Sequence, residues 1–124
     1  MRGIAFLFVA TAALFVTIGM VWGIQMSASG NHMLSGAHAH LNLIGWVTMG
    51  LFGFYYHLVP AAAARPLAKV HYGVATLGVL TIVPGIVMVL RQQGETLAAI
   101  GSVLTILSML IFLYTVLTTR AQAA

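Results

Sequence analysis

Five histidines, His32, His38, His40, His57 and His71, stand among only five Lys/Arg and one Asp/Glu residue in a chain of 124. Imidazole is the commonest metal ligand, and ionisable groups in or beside a bilayer are costly and mark function. The chain has no cysteine. Disulfides, iron–sulfur clusters and thiolate sites are therefore excluded, and metal chemistry falls to histidine, methionine or a bound cofactor. The densest cluster is Gly36-Ala37-His38-Ala39-His40-Leu41-Asn42. Residues two apart on a helix point about 200° apart, so His38 and His40 cannot chelate one ion from a regular helix and instead serve two different neighbours. That arrangement suits two cofactors or two subunits. The His38 face continues through Asn42, Gly45, Met49 and Phe52, small and mildly polar, as a helix looking into a bundle requires. The His40 face continues through Ile44, Val47, Leu51 and Phe54, which suit lipid, another subunit or the flat apolar surface of a porphyrin.

Further along, His71, Ala75, Gly78, Ile82 and Gly85 fall on one stripe at helical spacing, with Pro84 expected to kink its outer part. A histidine heading a groove of small residues is what an embedded heme needs. Such a stripe is equally what a helix–helix contact needs, as the Gly19/Gly23 GxxxG pair of the first helix illustrates. His32 and His57, standing singly, read as interfacial residues satisfied by water or lipid headgroups. The seven methionines read as packing residues. Met26 and Met33 beside His32 make copper an alternative second to heme.

These residues must be positioned by membrane helices. The chain is 61% hydrophobic and 5% charged, against roughly 45–50% and about 25% in soluble domains, which excludes a water-soluble fold. At about 20 residues per span, there is room for four. The apolar runs predict an all-α, integral-membrane four-helix bundle over residues 1–124, with helices at about 4–24, 36–59, 68–90 and 96–118. The first run exceeds the roughly 7–15 apolar residues of a signal-peptide core and is expected to be a helix, although Ser27-Ala28-Ser29 has some cleavage-site character. Residues 61–64 read as a loop or a frayed helix end. Arg2, Arg65, Lys69 and Arg120 fall on one side and Arg91 on the other, so both termini are expected in the cytoplasm. The net charge of +4 is scattered singly at segment ends, which reads as topology rather than nucleic-acid binding. On the second helix, His40 and His57 lie roughly 25 Å apart along the axis, with His40 near the outer end and His57 near the inner end. His71 shares the depth of His57, so these two offer a second, inner site.

The run His38-Ala39-His40-Leu41-Asn42-Leu43-Ile44-Gly45-Trp46-Val47, with Gly50-Leu51-Phe52-Gly53, Leu58-Val59-Pro60 and Leu67-Ala68-Lys69-Val70-His71-Tyr72, resembles short bacterial membrane proteins related to subunit I of heme–copper oxidases and nitric oxide reductases. The likeness spans helices two and three, about half the chain. In that superfamily subunit I comprises three arcs of four helices, and the second helix of each arc carries metal-binding histidines near its outer end. The resemblance implies that this chain is similar to one arc, with His40 placed like a low-spin heme ligand. It implies too that His38 and His40 are similar to a His-x-His pair serving two hemes from opposite faces. Three arcs closing around a pseudo-threefold axis imply a homotrimer, with a dimer sharing heme on a twofold axis as the alternative. The chain departs from the pattern in lacking a histidine pair on another helix for a copper centre and any acidic residue within a span. Oxygen reduction with proton pumping is not expected from it.

The resulting expectation is a b-type heme protein of the bacterial inner membrane, engaged in electron transfer or in handling heme or a diatomic gas. Its ligand set is His38, His40, His71 and His57, with Asn42 and Gly45 lining the cofactor; its redox partner is unknown. Whether it is an enzyme stays open. A small multidrug-type transporter or channel is the alternative from another class, and its usual embedded carboxylate is missing, Glu95 lying in a loop. A cofactor-free partner in oxidase assembly is the third.

Overall fold

The computed structural model of the chain describes residues 1–123, all of its regular structure helical. The order is α1 (Gly3–Ser29), α2 (Ser35–His40), a π-helix (Leu41–Thr48), α3 (Met49–Leu58), α4 (Pro60–Ala63), α5 (Pro66–Leu90) and α6 (Thr96–Ala123). Among the described residues, α1, α5 and α6 are each long and apolar enough to cross a membrane without interruption. Residues 35–58 form one continuous helical rod whose middle is wound as the π-helix. Large apolar side chains face outward along these helices, including Leu14, Val21, Ile24, Leu80, Val103, Ile106 and Leu117, while His71, Ser108, Thr115 and Thr119 are buried. An apolar exterior around a partly polar interior is the pattern of a membrane protein.

The helix ends have local causes. Apolarity stops at Ile24, yet Gln25, Ser27 and Ser29 do not break a helix, and α1 runs on to Gly30, whose left-handed φ of 69° ends it with its N–H on the Met26 carbonyl. The first connection is therefore shorter than the polarity of residues 25–35 suggests. Residues 60–63 form a short helix with Ala62 buried. At the end of α5, Gln92 takes the left-handed conformation (φ 57°), and the N–H groups of Gln92 and Gln93 donate to the carbonyls of Val89 (3.0 Å) and Met88 (2.8 Å). This is a Schellman stop built on glutamine instead of glycine. Pro84 sits inside α5 without interrupting it.

Two close seams and one aromatic core assemble the bundle. α1 packs along the rod, and α5 packs along α6. In the α5–α6 seam a Cβ at Gly85 would lie 2.5 Å from the Ala98 backbone, and one at Gly101 would lie 2.5 Å from the Ile82 backbone. In the α1–rod seam a Cβ at Gly53 would meet Val9 at 2.6 Å. Between the seams, Phe8 (α1), Phe52 and Tyr56 (α3), His71 (α5) and Phe112 (α6) form one ring-to-ring cluster. The His71 ring lies 4.4 Å from Phe52 and 5.1 Å from Phe8, centre to centre.

Candidate functional site: a divided pair of histidines

The helical spacing separates His38 from His40, and the structure assigns them different surroundings. His40 heads an outward face on which Val47, Leu51 and Phe54 are exposed. Its Nδ1 lies 2.8 Å from the carbonyl of Gly36, one turn back. A carbonyl only accepts, so Nδ1 carries the proton, and the neutral ring keeps an unprotonated Nε2. A backbone carbonyl bound to one ring nitrogen is how proteins fix the tautomer and orientation of a metal-ligating histidine. No residue type marks Gly36 for this role; its i to i−4 relation with His40 is the only signal in the sequence.

His38 turns inward. Its Nε2 donates to the carbonyl of Gly19 on α1 at 3.0 Å, and the amide nitrogen of Asn42 lies 3.3 Å from the same atom. The GxxxG pattern of α1 makes room for this contact. A Cβ at Gly23 would lie 3.2 Å from His38 Nε2, and one at Gly19 would collide with Asn42 Oδ1. The small residues of α1 therefore seat the polar residues of the rod, and the Trp22 ring closes edge-on over His38 at 5.9 Å. Asn42 Oδ1 is enclosed without a partner.

The expected cofactor lining has other occupants. Gly45 faces α1, where a Cβ would stand 3.1 Å from the Phe15 side chain. The stripe of Ala75, Gly78, Ile82 and Gly85 is buried as expected, but α6 fills it: Thr105 lies opposite Gly78 and Ala98 opposite Gly85. The stripe is a helix–helix seam and not a porphyrin groove.

His71 and His57 do not form an inner site in this structure. His71 is completely buried within the aromatic cluster, with Nδ1 2.8 Å from the Tyr56 hydroxyl and Nε2 lacking any partner. His57 points to a cleft of about 510 Å³ shared with Arg2, Tyr56 and Pro60. A porphyrin cannot reach His71 without displacing Phe8, Phe52 or Phe112. The bond between Tyr56 and His71 has no signal in the sequence, because it depends on the register of two helices. His32 is exposed in the loop after α1. Met26 and Met33 line a separate 280 Å³ cleft with Trp22, Gln25 and Arg91, and His32 is not among its walls. Among the described residues no three or more His, Asp or Glu side chains converge as a metal-binding group.

The geometry thus provides one oriented, outward imidazole at His40 and one structural imidazole at His38. No protein-family model, curated protein or solved structure matches the chain.

Proposed function

We propose that the chain is a multi-pass protein of a bacterial cytoplasmic membrane that binds heme b through His40. The observation that carries this reading is the 2.8 Å bond from His40 Nδ1 to the Gly36 carbonyl, which leaves Nε2 as a fixed lone pair on an apolar outer face. The rod of residues 35–58 is the fourth span, both termini are cytoplasmic, and His40 lies toward the outer side. Val47, about two turns along the rod from His40, begins an exposed apolar stripe that continues through Leu51 and Phe54. When bound, the heme supplies a one-electron couple or a site for a diatomic gas, tuned by its axial ligands.

His38 is not the ligand in this reading, because its Nε2 is engaged by the Gly19 carbonyl. Its part is to fix the rod against α1 and so hold the bearing of His40. One outward histidine gives one axial ligand per protomer, and a second must come from a neighbouring copy. A homotrimer follows the three-arc arrangement of the resembled oxidases, and a dimer places two copies of His40 on one heme.

Purification from heme-sufficient cells should yield non-covalent heme b. A colourless protein that also fails to take up added hemin defeats the reading. Native mass spectrometry in detergent separates the assemblies: three copies support the trimer, and two copies with half a heme each replace it with the dimer.

A further inference from the structure

The heme reading makes no use of Arg91. The cations are unevenly shared between the two ends of the bundle: Arg2 precedes α1, Arg65 and Lys69 stand at the start of α5 and Arg120 near the end of α6, while Arg91, after α5, is alone at the opposite end. Its side chain is not needed to close its helix. The last carbonyls of α5 accept backbone N–H groups, Val87 from Arg91 at 3.0 Å, Val89 from Gln92 at 3.0 Å and Met88 from Gln93 at 2.8 Å.

Arg91 instead forms part of the wall of the 280 Å³ cleft at the end of α1, together with Gln25, Ser29 and Asn31. No carboxylate is among the walls of this cleft. Asn31 accepts the Met33 N–H through Oδ1 at 3.0 Å, and the NH2 end of its amide is a donor. A cleft walled by a guanidinium and amides, with no carboxylate, suits an anion, and the planar guanidinium matches the oxygens of a phosphate.

A second cavity continues the first. A shallow trough of about 520 Å³ runs along α1, lined by Thr17, Ile18 and Val21, and it shares Trp22 and Gln25 with the polar cleft. Ile18 and Val21 are exposed. Trp22 lies roughly 10 Å along the axis from the end of α1 at Ser29, and Trp is enriched where headgroups give way to acyl chains. A cationic cleft that opens at this depth onto an apolar trough has the division of a phospholipid, phosphate at one end and acyl chain at the other.

We propose that the two cavities together bind one anionic phospholipid, its phosphate held by Arg91 and an acyl chain lying along Ile18 and Val21. The site needs only the membrane-spanning character of α1 and α5 and does not depend on heme.

Fluorescence quenching tests it. The chain has two tryptophans, and Trp46 is exposed on the rod, so Trp46→Phe leaves Trp22, common to both cavities, as the single reporter. With this variant in phosphatidylcholine vesicles, phosphatidylglycerol brominated on its acyl chains should compete for the site beside Trp22 about five-fold better than equally brominated phosphatidylcholine, the factor that one cation contributes near an anionic headgroup. Arg91→Gln should remove the preference and Arg2→Gln should keep it. Equal quenching by the two lipids, as a neutral quinone or a second copy of the chain seated there would leave it, a preference unchanged in Arg91→Gln, or one lost equally in Arg2→Gln would overturn the proposal.

Discussion

Replacing His38 by alanine removes the bond from Nε2 to the Gly19 carbonyl at 3.0 Å, the contact with Asn42 at 3.3 Å and the edge-on packing under Trp22. Hydrogen bonds between membrane helices average about 0.6 kcal/mol and reach about 1.7. The lost ring contact adds a few tenths of a kcal/mol or more. The expected destabilisation is therefore about 1–2 kcal/mol, a factor of roughly 5–30 in the folding equilibrium. His40→Ala removes only an intrahelical bond on an outward face and should stay within about 0.5 kcal/mol of wild type. Steric-trapping or denaturant unfolding of the protein in detergent micelles measures both. Asn42→Ala completes a double-mutant cycle, where contacting residues couple by about 0.5 kcal/mol or more. Equal effects from His38→Ala and His40→Ala, with no coupling between His38 and Asn42, would refute the division of roles.

Other outcomes follow from the seams and the ends. Gly85→Val and Gly101→Val drive a side chain into partner backbone at 2.5 Å, which no rotamer relieves, and should each cost upward of about 2 kcal/mol or prevent assembly on size-exclusion chromatography. Gly73→Ala has open space at its Cβ and should raise stability by about 0.5–1 kcal/mol in the same unfolding assay. Gln92→Gly relieves a left-handed glutamine and should stabilise the protein to thermal denaturation by about 1 kcal/mol. Because the chain lacks cysteine, single cysteines report topology cleanly: Gln93→Cys should react with an impermeant maleimide in intact spheroplasts, and Ala64→Cys only after lysis. The reverse pattern would invert the proposed orientation.

The sequence carried the facing of side chains further than their contacts. A rotation of about 100° per residue separates His38 from His40, and Gly45, Met49 and Phe52 are buried as that face expects even though the wider-turned π-helix intervenes. The stripe from His71 to Gly85 was legible as a buried face, but not its occupant. A run of small residues admits a helix or a porphyrin equally, and only the position of α6 decides. The Tyr56–His71 bond depends on how the second and third helices register, which no local pattern encodes. The π-helix at Leu41–Thr48 carries no residue type that marks it; its one local trace is Thr48 bonding back five residues to the Leu43 carbonyl.

The decisive comparison is the visible absorption spectrum of the wild-type protein beside His38→Ala and His40→Ala, each purified under the same heme supply. A Soret band in wild type and in folded His38→Ala, lost or shifted in His40→Ala, is the predicted result. A Soret band unchanged in His40→Ala, or lost only with His38, would contradict ligation through His40.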